Sequence, residues 1–268
     1  MTYFGFLLIF LGIPLIILAW ATWRDAHREL PLPFELTNWP PTVIITAHVV
    51  VALLYTTPWD NYLVATRVWW YNPDLVTGIV LGWVPLEEYT FFVVQTLLTG
   101  LWIVYLARRY APLDPAPEKP RLRFFLTLAV FLIWLASVVV LIAGWQSRTY
   151  LGLELSWGLL PVMIQLGFGA DILWHYRSLL FWSIVPPTLY LSTADALAIR
   201  SGTWTINPAL SLEIYLGGLL PVEEFVFFLL TNTLVTLGVI LVAARQSRRR
   251  LDDFLARRSA GRKLSGQS

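Results

Sequence analysis

Four carboxylic acids stand in adjacent pairs within apolar stretches of this chain: Glu87 and Glu88 in Pro85-Leu86-Glu87-Glu88, and Glu223 and Glu224 in Pro221-Val222-Glu223-Glu224. Each pair is followed by two phenylalanines, Phe91-Phe92 and Phe227-Phe228, so on a helix every glutamate has a ring one turn further on. Two aspartates, Asp60 and Asp195, lie in apolar surroundings of the same kind. Adjacent helical residues point about 100° apart, so at least one glutamate of each pair should face the protein interior. Burial and the nearness of another carboxylate both disfavour ionisation, so one or more of these groups should hold a proton at neutral pH. Such a proton is usable in general acid catalysis, with a neighbouring carboxylate as base. Ring faces stabilise cations, and 14 Trp, 11 Tyr and 15 Phe would suit a cavity that handles a carbocation or a flat polyene.

Blander readings compete. Trp and Tyr gather at membrane interfaces whatever the function, so most of the aromatics are expected to be anchors and packing. Gln95 and Thr231, each eight residues past the first glutamate of its pair, either hydrogen-bond a carboxyl or join two helices. His48 reads as a packing residue, His27 and His175 fall in loops, and no metal triad emerges. The acidic pairs lack the aspartate-rich clusters and nearby basic residues of a Mg²⁺-diphosphate site. Gly167-Phe168-Gly169 is not a dinucleotide fingerprint. The only lysines, Lys119 and Lys263, argue against a retinal protein. No cofactor and no metal is expected, and with no cysteine, disulfides and thiolate chemistry are excluded.

The elements that must hold these residues are membrane helices. The chain is 57% apolar and 13% charged, whereas a soluble domain is about a quarter charged. Seven apolar runs approach or exceed the roughly 20 residues that cross a bilayer: 3–23, 42–65, 76–107, 124–144, 151–173, 179–199 and 212–244. Continuous runs of this kind satisfy their backbone as helices rather than barrel strands, so the expected fold is all-α with seven transmembrane helices. The first run also carries Ala19-Trp20-Ala21, a small-x-small cleavage pattern, but no basic residue precedes Arg24, which weighs against a signal peptide. Sorting Lys and Arg over seven helices puts sixteen on one face and only Arg67, Arg148 and Arg200 on the other. The positive-inside rule then sets the N-terminus outside and the C-terminus in the cytoplasm of a multi-pass cell-membrane protein. The basic tail, with Arg248-Arg249-Arg250 and Arg257-Arg258, is read as a solvated topology anchor beside anionic headgroups.

The acidic motifs recur at an offset of 136 residues, and Tyr55, Asp60, Trp69 and Asn72-Pro73 recur as Tyr190, Asp195, Trp204 and Asn207-Pro208 at 135. Gly12-Ile13-Pro14-Leu15 resembles Leu159-Leu160-Pro161-Val162. The chain therefore divides into a first repeat (1–110), a Pro-rich linker with helix 4 (111–148), a second repeat (149–247) and the tail (248–268). Helix 4 reverses direction, making the two three-helix repeats parallel, with both acidic motifs at one depth. Each motif is expected about ten residues into its helix, roughly 15 Å deep. Pro40-Pro41-Thr42 also resembles Pro186-Pro187-Thr188, at an offset that does not fit the rest.

Pro58-Trp59-Asp60-Asn61-Tyr62 and Pro85-Leu86-Glu87-Glu88-Tyr89, with Phe91-Phe92 and Gln95-Thr96, resemble the heterodimeric-type lycopene cyclases. Asp195, Gly202-Thr203-Trp204-Thr205-Ile206 and Pro221-Val222-Glu223-Glu224, with Phe227-Phe228 and Thr231-Asn232, resemble the partner subunit of that family, so the chain looks like the fused form. The resemblance spans helices 1 to 7 and omits the tail. It implies conversion of the linear ψ ends of lycopene to β rings without redox change, giving γ- and β-carotene. Related members make ε rings or act on other prenylated substrates. The implied acids and bases are Glu87, Glu88, Glu223, Glu224, Asp60 and Asp195. The implied substrate contacts are Phe91, Phe92, Gln95, Phe227, Phe228 and Thr231, together with Asn232, Trp59 and Trp204. The implied partners are the lipophilic carotenoid, membrane lipid and other carotenoid-pathway enzymes, with no nucleic acid. A proton-coupled transporter with 3+1+3 parallel repeats is the main rival, and a membrane scaffold for carotenoid enzymes a weaker one.

Overall fold

The computed structural model describes residues 1–28 and 30–265, with side chains through residue 257. Among these residues seven long helices follow one another: α1 (Tyr3–His27), α2 (Pro41–Ala65), α3 (Leu86–Tyr110), α4 (Pro120–Ile142), α5 (Thr149–His175), α6 (Arg177–Arg200) and α7 (Val222–Ala243). An eighth, α8 (Arg245–Ser265), carries the basic tail. Among the described residues six helices are long and apolar enough to cross a membrane. The exception is α6, interrupted by polar Ser183, Thr188, Ser192, Thr193 and Asp195. The fold is all-α and of multi-pass membrane type.

Helices α3 and α7 form the centre, each more than half buried, whereas α4 packs on α5 and is otherwise exposed. The apolar face that α4 leaves open, with Phe124, Phe131, Ile133 and Val139, suits contact with lipid.

Three helix prolines account for several long-range bonds. Proline has no N–H and pushes away the carbonyl four residues before it, leaving an acceptor that lipid cannot satisfy. Pro14 frees the Phe10 carbonyl within a π-helical turn (Leu7–Gly12), and Tyr190 of α6 donates to it at 2.9 Å. Pro161 frees the Trp157 carbonyl, and Tyr55 of α2 donates to it at 2.9 Å. Pro186 frees the Trp182 carbonyl, and Trp102 donates there at 2.9 Å.

At one end of the bundle six short strands lie in the loops before α3 and α7: β1 (Trp69–Tyr71), β2 (Val80–Leu81), β3 (Val84–Pro85), β4 (Trp204–Ile206), β5 (Tyr215–Leu216) and β6 (Leu220–Pro221). β2 pairs with β3 and β5 with β6 as hairpins, while β1 and β4 pair antiparallel with Trp70 opposite Thr205. Beside that ladder, Asn72 N donates to the Thr203 carbonyl and Asn207 N to the Val68 carbonyl, both at 2.9 Å. The two contacts exchange corresponding positions.

The hairpins correct the expected depth of the acidic motifs. Hydropathy extends the third and seventh helices back to 76 and 212, but α3 begins at Leu86 and α7 at Val222. Gly78 and Gly82 (φ 78° and 71°) and Gly217 and Gly218 (φ 59° and 71°) turn the chain into hairpins instead. Apolar composition is blind to this turn chemistry. Both acidic pairs therefore sit in the first turn of a helix, where free N–H groups and the dipole favour negative charge.

The tail also departs from expectation. Its Arg250 forms a two-pronged pair with buried Asp171, at 3.0 and 2.9 Å, and Arg249 meets Glu35 at 2.8 Å, so α8 is fastened to the bundle. The side chains of Arg258, Arg262 and Lys263 lie outside the described residues.

Candidate active site

The starts of α3 and α7 meet the starts of α1 and α5 around an aromatic cluster that includes Tyr3, Phe6, Trp69, Phe91, Tyr150, Trp204, Phe227 and Phe228. Inside it lies a cavity of about 40 Å³, room for roughly two or three water molecules. Three carboxylic acids line it: Glu88 from α3, Glu224 from α7 and Asp195 from α6. Both halves of the chain thus contribute acids to one space.

Each acid has a defined set of donors. Glu88 Oε2 accepts the hydroxyl of Tyr3 and, at 3.0 Å, that of Tyr71, which in turn accepts the Trp69 indole N–H at 3.2 Å. Glu224 Oε1 accepts the Tyr150 hydroxyl at 2.7 Å. Asp195 Oδ1 accepts the Trp204 indole N–H at 2.9 Å, while its other oxygen is buried without a partner. No ion pair reaches these three acids among the described residues, and the walls are rings: Tyr3 lies 4.9 Å from Trp204 and stacks on Tyr71 at 6.0 Å.

The remaining predicted acids lie outside this lining. Glu87 is fully buried and accepts the Thr77 backbone N–H at 2.6 Å, and Glu223, equally buried, accepts that of Leu212 at 2.6 Å. The first glutamate of each pair ties the preceding loop to its helix start. Asp60 is buried in α2 with neither oxygen hydrogen-bonded.

Of the predicted substrate contacts, Phe91, Phe227, Phe228 and Trp204 line the cavity. Phe92 packs edge-on against Phe91, and Trp59 stacks on Trp157 at 4.4 Å and parallel to Phe227 at 6.0 Å. Gln95 donates to Thr231 at 2.9 Å, the helix-joining alternative rather than a bond to a carboxyl. Asn232 accepts from Thr99 at 2.9 Å and donates to Thr188 at 3.3 Å, binding α7 to α3 and α6. His48 hydrogen-bonds within its own helix to the Ile44 carbonyl at 2.8 Å, in line with packing.

The tyrosines at Glu88 and Glu224 escaped the sequence reading, as did Glu154, which is fully buried one turn from Tyr150. A signal existed: carrying the alignment of Pro14 with Pro161 back eleven residues, an offset of 147, sets Tyr3 against Tyr150.

Acids without counter-cations, held by phenols in an aromatic chamber inside a membrane bundle, define a multi-pass membrane protein equipped for proton chemistry on an apolar molecule. A lycopene beta-cyclase from Halobacterium salinarum is 40% identical over 194 residues, covering 72% of this chain and 79% of that protein. Bifunctional lycopene cyclase/phytoene synthases from Sporisorium reilianum (36% identical, 69% of this chain, 28% of theirs) and Phycomyces blakesleeanus (35%, 69% and 31%) also match. The chain belongs to the lycopene cyclase family. No protein-family model and no solved structure matches it.

Proposed function

We propose that this protein is a membrane-embedded lycopene cyclase that closes the linear ends of lycopene to β rings at one cavity shared by both halves. The observation that carries this reading is the convergence of Glu88 and Glu224 on that cavity, within an aromatic wall. One glutamic acid protonates the terminal double bond, leaving a tertiary cation at carbon 1. The neighbouring double bond closes on it to form the six-membered ring, and the other glutamate takes the proton from carbon 6. One proton enters and one leaves, with no change in oxidation state. Rings of Phe91, Phe227, Phe228 and Trp204 stabilise the cation. The cavity is smaller than the roughly 150 Å³ that holds a benzene, so the end group enters by displacing these side chains.

Seven crossings in two parallel repeats, joined by α4, follow in the same reading. The reciprocal bonds Tyr55 to Trp157 and Tyr190 to Phe10, and Asn72 to Thr203 and Asn207 to Val68, support it. Position i contacting j while j's counterpart contacts i's is the signature of a two-fold relation. The basic ends Arg24, Arg108, Arg109, Arg123 and Arg250 lie on the cytoplasmic side of the cell membrane, and the acidic cavity lies toward the outer side.

Expression in cells that accumulate lycopene is expected to turn red pigment yellow-orange, with γ- and β-carotene in the extract. Unchanged lycopene beside well-inserted protein would refute the reading. In deuterated water the product rings are expected to carry deuterium, and its absence would exclude protonation as the first step.

A further inference from the structure

The two cavity glutamates have unequal neighbours, and the inequality singles out a residue the scheme above leaves unused. Under the correspondence of α1 with α5, Tyr3 answers to Tyr150 and Leu7 to Glu154; under that of the loops, Tyr71 answers to Ile206. Glu88 thus has a second phenol donor where the other half has isoleucine. Glu224 has a further carboxyl nearby where the other half has leucine.

Glu154 is 0% exposed, and neither of its oxygens has a hydrogen-bond partner among the described residues. Among the described residues, the titratable groups that interact with it are Tyr150, one turn earlier on its own helix, and Glu223 and Glu224 on α7. Burying a polar group without a partner costs stability, so a residue of this kind without a task would be a standing loss. Tyr150, one turn earlier on the same face, has one proton and two lone pairs; the proton goes to Glu224 Oε1, leaving the lone pairs free.

We propose that Glu154 is a positioning residue for the catalytic acid: in its neutral form it donates to the Tyr150 phenol oxygen. That bond takes a lone pair of the phenol and favours Tyr150 as the donor toward Glu224 Oε1, so the Glu224 proton sits on Oε2, which accepts no hydrogen bond among the described residues. The inference rests on the cyclase reading and assigns its roles. Glu224 gives its proton to the substrate, and the carboxylate that forms meets a hydroxyl already aimed at it and polarised by Glu154. Glu88, accepting from both Tyr3 and Tyr71, takes the proton that leaves carbon 6. Glu88 then releases that proton to water and Glu224 takes up another from water, which restores the starting state.

The test uses full-length protein in liposomes with lycopene, reading kcat, KM and melting temperature for Glu154→Leu and Glu154→Gln. E154L, which installs the side chain of the other half, is expected to lower kcat about tenfold or more while KM stays within about twofold. E154Q, whose amide still donates to Tyr150, is expected to keep most of kcat. Should E154L fail to fold, Glu154→Met, which also lacks a donor, carries the same expectation. Wild-type kcat in E154L or E154M overturns the inference, as do equal losses in E154Q and E154L, or a loss that only follows a lowered melting temperature. Wild-type protein that leaves lycopene unchanged overturns the cyclase reading itself, and this inference with it.

Discussion

Within each acidic pair the two glutamates do different work. The second of each pair, Glu88 and Glu224, touches the cavity and is held by phenols, whereas the first, Glu87 and Glu223, spends an oxygen on a loop N–H. Glu88→Gln and Glu224→Gln keep size and hydrogen bonding but remove the exchangeable acid. Each is expected to lower ring formation by about 10²–10⁴-fold without loss of inserted protein, measured as carotenoid produced per unit of protein. Glu87→Ala instead removes the buried acceptor of the Thr77 N–H and should cost about 0.5–1.5 kcal/mol, read as a lower melting temperature in detergent. An E87A protein of normal stability with abolished turnover would reverse this division of labour. The sequence made the acids conspicuous because charge is rare in apolar runs. It could not separate the members of a pair, because their allocation depends on the backbone before the helix and on tyrosines as far as 74 and 85 residues away.

Among the elements, helices were legible from their apolar runs, and breaks in them less so. Hydropathy found α1 to α7 and missed the basic α8, and it extended two helices backward through hairpins, since Val80-Leu81 and Tyr215-Leu216 are as apolar in a strand as in a helix. The glycines with positive φ were the available sign. Gly82 is the tightest of these, because a Cβ there would lie 2.2 Å from Asn61 Oδ1, the acceptor of the Trp83 N–H. Gly82→Ala combines that clash with an unfavourable φ and is expected to cost about 1–3 kcal/mol, loosening the turn that delivers Glu87 and Glu88 to the start of α3. The helix prolines give a second prediction. Tyr55→Phe and Tyr190→Phe each leave a proline-freed carbonyl without its donor, and each should lower stability by about 0.6 kcal/mol, the mean for such bonds in membrane bundles. The two bonds share no residue, so the double variant is expected to lose the sum in a reversible unfolding titration.

For the whole molecule, sequence recurrence pointed to two related halves, while their mode of contact depended on pairings across more than a hundred residues. The bonds that join the halves are many and reciprocal: the β1–β4 ladder, Gln95 to Thr231, Tyr55 to Trp157 and Tyr190 to Phe10. The covalent link contributes none of them. Residues 111–119 run between α3 and α4 without regular structure, and Lys119 N reaches Asp171 at 3.2 Å just before α4 begins. A cut at Leu113 therefore leaves that anchor, and all of α4, with the second piece. Neither piece holds a complete site, since Tyr3, Tyr71 and Glu88 belong to the first and Tyr150, Asp195 and Glu224 to the second. Residues 1–113 and 114–268, with a start codon added to the latter, are expected to be inactive when expressed singly in lycopene-accumulating cells. Expressed together they should restore ring formation, because the interface between the halves is formed by side chains and strand pairing rather than by the linker. Adding Glu224→Gln to the second piece should abolish that restored activity, as should adding Glu88→Gln to the first. Activity from either piece alone would mean that each half carries a site of its own, and the shared cavity would lose its place in the mechanism.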